Sequence, residues 1–271
     1  MFIFYNTLLQ ESKPLQDLLL NRSFLYGDGL FETMIYSQGK VKFLADHYQR
    51  LVAGMTAMGM IIPAELTVPF ITSAVDELIK RNRFEKKVRI KLHVWRKPGG
   101  VYTPTTNGIE FYITTNQHIA ASLVKEKVLF YEEVRLHFSK ISSYKTCSAL
   151  PYVLAGVARN ETQADDMILL DVYGHVAECI ASNLFWLNAG KLYTPSLQTG
   201  CVAGVMRKQV LKKAAALQIP TIEGLFTTSD LLQAEAVFCC NAAGIQSIAQ
   251  IEEKQFSASM QHLQWFQDLA E

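Results

Sequence analysis

A few short stretches of the chain hold residues able to do chemistry. Lys145 lies in SKISSYKTCSALPYVLAGVA, hemmed in by Tyr144, Cys147 and Leu150. Burial lowers a lysine's pKa and makes its amine a nucleophile suited to a Schiff base; left in water, the same residue is a snorkelling surface lysine. Glu178 falls among small and apolar residues in LLDVYGHVAECIASNLFWL, after a Tyr173-Gly174 turn. A carboxylate held there could pair with a ring nitrogen of a cofactor, or simply end a strand. Gly204-Val205-Met206-Arg207 opens a well-patterned helix. A helix start offers unpaired N–H groups and the positive end of a dipole, which suits a phosphate, and Gly204 lets the backbone approach closely. A plain glycine turn into a helix reads the same way. Asn241-Ala242-Ala243-Gly244 gives a second small, polar turn after the apolar run AVFCC. Arg50 stands one helical turn after His47, so either could reach an anion or line a solvated face. Gly27-Asp28-Gly29 is a turn signature only, and no P-loop, HExxH or GxSxG motif occurs, which weakens readings as a nucleotide-binding P-loop enzyme, a zincin or a serine hydrolase.

Local patterning supplies the elements that must position these residues. Phe31–Tyr36 and Val41–Leu44 predict a hairpin turning at Ser37-Gln38-Gly39. Leu44, Tyr48, Leu51, Met55 and Met58 recur at helical spacing over 44–60, with Gly59 and Pro63 at the exit. A second helix is expected over 66–82, with Ile71, Val75, Leu78 and Ile79 on one face. Val88, Ile90, Leu92 and Val94 alternate with Arg89, Lys91 and His93, the pattern of a half-buried strand. After the Pro98-Gly99-Gly100 turn, 109–114 gives another strand, and 98–106 is the candidate mobile loop. Residues 115–125 lose periodicity and form the expected linker. Beyond it, strands are expected at 127–131, 167–171, 183–188 and 236–240, and helices at 149–160, 205–217, 229–235 and 259–269. The expectation is a small α+β domain over 1–114 and a larger mixed α/β domain over 126–271. Clefts between such domains are favoured ligand sites.

Composition bounds the function. The 271 residues are 49% hydrophobic and 19% charged, which excludes a disordered chain. Lys plus Arg total 26 against 25 Asp plus Glu, a net charge of +1, which argues against a broad nucleic-acid surface or a polybasic membrane anchor. The five cysteines are odd in number and include no CxxC, so neither a disulfide framework nor a metal site is expected. The start, MFIFYNTLLQESK, lacks a basic n-region, and no run of about 18 apolar residues occurs. A reducing cytoplasm is the expected compartment.

The order of the blocks carries more than any one of them. The chain reads YGDGLFET, HYQRL, SYKT, DVYGHVAECIASNLFW, LYTPSLQTGCVAGVMR and FCCNAAG. This series, across roughly residues 22–248, resembles the class IV aminotransferase family, the fold-type IV enzymes that use pyridoxal 5'-phosphate. That resemblance implies an α+β, two-domain fold of the D-amino-acid aminotransferase kind and a homodimer acting on a small amino substrate. It also implies roles. Lys145 would hold the cofactor covalently and shuttle protons, with Thr33 beside it. Glu178 would keep the pyridine nitrogen protonated. Arg50, the N–H groups of Val205 and Met206, and the Asn241-Ala242 turn would bind the phosphate. Branched-chain enzymes of the family usually carry a tyrosine five residues after the lysine, where this chain has Leu150. D-amino-acid enzymes present an Arg and His pair where this chain has Val101 and Thr103. Thr33, AECIASNLFW, VAGVMR and FCCNAAG are similar to the lyase branch, which converts 4-amino-4-deoxychorismate to 4-aminobenzoate and pyruvate. The second arginine that some lyases carry after the paired glycines is missing, so Tyr102 with backbone groups would compensate, or Arg96 would take over, or the substrate differs. The alternative is transamination of branched-chain or D-amino acids.

Overall fold

The structure, a computed structural model, describes residues 1–12, 20–256, 266 and 269. The helix expected over 259–269 thus falls, apart from two residues, outside the described part. The fold divides into two compact units, Met1–Ile119 with Tyr144–Ala149, and Ala120–Ser143 with Leu150–Glu271.

The first unit comprises β1 (Phe2–Tyr5), β2 (Leu8–Glu11), α1 (Arg22–Tyr26), β3 (Gly29–Ser37), β4 (Lys40–Val41), α2 (Leu44–Ala57), α3 (Val68–Arg81), β5 (Val88–Arg96) and β6 (Ile109–Gln117). Its six strands form an antiparallel sheet in the order β2-β1-β6-β5-β3-β4. The period-two pattern of β5 sends Ile90, Leu92 and Val94 into one core with Leu51 and Met55 of α2 and Ile71, Val75 and Leu78 of α3. The hairpin between β3 and β4 turns at Gln38 and Gly39, both at positive φ, the pair of conformations that matches strand twist. The second hairpin strand stops at Val41 because Leu44 already opens α2. Thr67 caps α3 by accepting a hydrogen bond from the Phe70 N–H.

The second unit comprises β7 (Val124–Lys125), β8 (Val128–Leu136), α4 (Leu150–Thr162), β9 (Asp166–Asp171), β10 (Val176–Cys179), β11 (Asn183–Asn188), β12 (Lys191–Pro195), α5 (Val205–Ala216), β13 (Thr221–Gly224), α6 (Thr228–Leu232), β14 (Ala236–Asn241), β15 (Gly244–Ile248), β16 (Gln250–Ile251) and β17 (Lys254–Gln255). The aperiodic stretch 115–125 therefore contains the end of β6 and all of β7. The main path of the sheet runs β17-β16-β8-β9-β10-β11-β14-β15-β7. β7 leads almost directly into β8, and β15 into β16, yet each pair sits at opposite ends of that path. The sheet must therefore curl until its ends are neighbours. β9 is buried along its whole length, which explains its apolar run Met167–Leu170, and β10 is equally buried although it carries Glu178. Among the described residues no helix is long and apolar enough to cross a membrane.

Candidate active site

In the first unit, the segment holding Lys145 is bound to the start of β3. The Phe31 N–H donates to the Lys145 carbonyl (2.9 Å) and the Cys147 N–H to the Gly29 carbonyl (2.8 Å). Leu30 and Thr146 pair as an isolated antiparallel bridge. A side chain on Gly29 would press to 2.7 Å from the Val94 carbonyl oxygen, so close backbone packing here requires glycine. The Lys145 side chain is half-buried, with Nζ 4.7 Å from the centre of the Phe31 ring, and the Lys91 Nζ is 5.0 Å from the same centre. Thr33 lies two residues beyond Phe31 on the same strand face, directly opposite Lys91.

Arg50 projects from α2 onto β3. Its Nε donates to Glu32 Oε1 (2.8 Å) and an Nη to Glu32 Oε2 (2.5 Å), while His47 Nδ1 lies 2.6 Å from Glu32 Oε2. Burial would raise the Glu32 carboxyl, but Arg50 and His47 together outweigh it and hold the group below the usual carboxylate value. His47 and Arg50 thus both converge on one buried carboxylate.

Arg96 is buried, and its nitrogens go to Asp28, Asn107 and the Met58 carbonyl. That geometry ties down the base of the 97–107 loop. Arg22 completes the arrangement. It binds Asp28 through Nε and the carbonyls of Gly99, Gly100 and Val101 through one Nη. Tyr102 stands almost fully exposed on this loop, its ring 5.7 Å from Tyr26.

In the second unit, the hairpin joining β10 to β11 is the hub. Glu178 is only 4% exposed. Its Oε1 accepts from the Tyr152 hydroxyl (2.7 Å) and the Val202 N–H (3.0 Å), and its Oε2 from Asn183 Nδ2 (3.1 Å). Asn183 Nδ2 also donates to the Val202 carbonyl at 2.8 Å. A Cβ on Gly204 would fall 1.9 Å from Asn183 Oδ1, so only glycine fits at the start of α5. No side chain caps that helix, and Val205 and Met206 open it. Asn241, at the end of β14, donates to Ser182 Oγ at 3.0 Å, and Ala242 follows it in the turn to β15. The structure therefore gathers Glu178, the Val205-Met206 helix start and Asn241 around residues 178–183. Farther into the same unit, Asp166, Cys179 and Cys239 come within 4.8 Å of one another. The Lys125 ammonium lies 2.7 Å from Asp166 and already supplies the positive charge there.

The chain matches the family described as amino-transferase class IV over residues 29–251. It belongs to the class IV aminotransferase family. An aminodeoxychorismate lyase from Vibrio harveyi is 31% identical over 245 residues, covering 88% of this chain and 86% of that protein. Among solved structures, branched-chain aminotransferase from Thermoproteus uzoniensis superposes with a TM-score of 0.89 at 24% identity, covering 98% and 92% of the two chains. Branched-chain amino acid aminotransferase from Escherichia coli gives 0.84 at 20% identity, covering 95% and 88%. These likenesses establish the fold-type IV architecture. Curated relatives at 25–28% identity carry the names of both the lyase and the branched-chain aminotransferase.

This class IV enzyme is dependent on pyridoxal 5'-phosphate, and its residues fit the cofactor. A buried carboxylate held by three donors suits a protonated pyridine nitrogen, a glycine-only helix start suits a phosphate, and a half-buried lysine suits covalent attachment. Sequence reasoning missed Glu32, Tyr152, Asn183 and Arg22. Glu32 alone left a signal: it occupies an inward phase of β3 with Leu30 and Met34, where a carboxylate requires partners.

Proposed function

We propose that this protein is an aminodeoxychorismate lyase, converting 4-amino-4-deoxychorismate to 4-aminobenzoate and pyruvate. The observation that carries the reading is the 31% identity to the Vibrio harveyi lyase over most of both chains. The exposed Leu150, which offers no hydroxyl where branched-chain enzymes usually have tyrosine, supports it.

When bound, pyridoxal 5'-phosphate supplies an electron sink for the carbon that bears the substrate amine. Lys145 would hold the cofactor through its amine and would serve as the base that takes the proton from the carbon bearing the substrate amine. Lys145 or Thr33 would give a proton to the departing pyruvate group as its bond to the ring breaks. Glu178, as a carboxylate, keeps the proton on the pyridine nitrogen. Arg50, its plane fixed by Glu32, binds the phosphate together with the Val205 and Met206 N–H groups and the Asn241-Ala242 turn. Tyr102 contacts substrate from the loop that Arg22 and Arg96 hold. The working form is a homodimer in a reducing cytoplasm.

Transamination is the second reading, favoured by the branched-chain aminotransferase names among the relatives. It uses the same lysine and differs in which carbon receives the proton. A paired assay on cofactor-loaded protein decides. Lys145-dependent release of 4-aminobenzoate and pyruvate from aminodeoxychorismate is expected. Amino exchange from branched-chain amino acids, D-alanine or glutamate to 2-oxoglutarate or pyruvate, with no aminobenzoate formed, would overturn the lyase reading.

A further inference from the structure

We propose that Tyr152 is a positioning residue for Glu178, its hydroxyl keeping that carboxylate charged and aimed for the cofactor's ring nitrogen. The inference rests on the role given to Glu178 above and adds a residue to it. An isolated buried carboxylate takes up a proton, and each donor aimed at it favours the charged form. Glu178 has three such donors in its own unit. Asn183 lies on the adjoining strand and Val202 in the lead into α5, so both are set by the local backbone. Tyr152 comes from a different element, α4, and reaches in with the shortest of the three bonds, 2.7 Å. It stands seven residues after Lys145, whereas the position five residues after is the exposed Leu150.

The hydroxyl is a dependable donor. Burial, then the adjacent Glu178, pushes the phenol far above its ordinary titration range. The other titratable neighbour, Cys201, is pushed up to about 12 by burial and by Glu178. Near neutral pH neither adds a competing charge. With the phenolic bond in place the carboxylate is a weaker base, so a proton shared with a ring nitrogen stays on the nitrogen. Without it, the carboxylate competes for that proton.

Tyr152→Phe removes the oxygen and keeps the ring. In the holoenzyme we expect turnover to fall roughly tenfold, with the KM for the amino substrate within about twofold. The melting temperature of the cofactor-free protein should be nearly unchanged. The direct readout is the ring-nitrogen resonance of 15N-labelled cofactor at neutral pH, which should move towards the unprotonated position as the more basic carboxylate takes a larger share of the proton. A fluorinated tyrosine at 152, a stronger donor of the same shape, should move it towards the protonated position, and it keeps the test alive if Tyr152→Phe folds poorly. A resonance unmoved by either replacement would overturn the proposal. Glu178→Gln separates the two layers. If it leaves the resonance unchanged, the underlying role of Glu178 is wrong; if it moves the resonance while the Tyr152 replacements do not, only the role of Tyr152 is rejected.

Discussion

Glu32 lies 2% exposed in the first unit's core, and its carboxylate is tolerable there only because Arg50 and His47 face it. Breaking such a pair leaves an uncompensated charge, so Glu32→Gln should cost about 3 kcal/mol at neutral pH. The sign of its pH dependence follows from the lowered carboxyl pKa. The contribution is complete above the ordinary glutamate value and is lost as pH falls through the depressed folded value. Melting curves should therefore separate wild type from Glu32→Gln most widely near neutrality and converge in acid. His93 gives the opposite lesson for a base. Burial, aided by Lys91, lowers it to about 4, and its Nδ1 has no hydrogen-bond partner. Its neutral form stabilises the fold above the ordinary value of 6.5, and that stability drains as pH falls from there towards 4. His93→Phe, filling the space beside Phe31 and Tyr112, should gain stability relative to wild type across that window; parallel pH curves would refute this. Lys145→Ala should abolish turnover and covalent cofactor attachment, leaving the melting temperature of the cofactor-free protein within a few degrees. Turnover at the wild-type rate would remove the mechanism.

At the scale of elements, the start of α5 makes the most exposed demand. Gly204→Ala would drive a methyl into Asn183 Oδ1, and Asn183 ties Glu178 to Val202. The expected outcome is a loss of about 1–3 kcal/mol in denaturant unfolding together with weaker cofactor binding in absorbance titrations. Unaltered affinity would separate the helix start from the phosphate. How far such elements can be read from sequence depends on whether their pattern is local. α2 and α3 announced themselves because Leu51, Met55, Ile71, Val75 and Leu78 recur at helical spacing over a common core. β12 and β15 did not: each spans only five residues, too few to establish a period. Of the proposed site, Lys145, Glu178 and Arg50 stand out in the sequence only through the order of their motifs. Tyr152 left no signal and Glu32 only that of a charge on an inward phase, because their meaning arises only when α4 meets the β10 hairpin and α2 meets β3.

At the scale of the whole molecule, α4 presents Leu150, Val153, Leu154 and Val157 to solvent, an apolar stripe on a single helix face. A second copy is the occupant consistent with the proposed homodimer. Sedimentation should give twice the chain mass, and Val153→Asp combined with Val157→Asp should shift it to the single-chain mass. A monomeric wild type would refute the arrangement. The curled sheet of the second unit has a consequence of another kind, in the order of synthesis. The six strands of the first unit are all present once residue 117 has left the ribosome. β8, by contrast, pairs at Val128 with Ile251, and β7 waits for Ser247 and Ile248. Contacts of such long separation form late. Through most of elongation the early strands of the second unit carry open edges, of the kind that recruit other chains. The nascent protein is thus expected to need shielding after its first sheet is complete, and ribosome-bound chains stalled near residue 200 should engage chaperones more than chains stalled near residue 130 or released full-length.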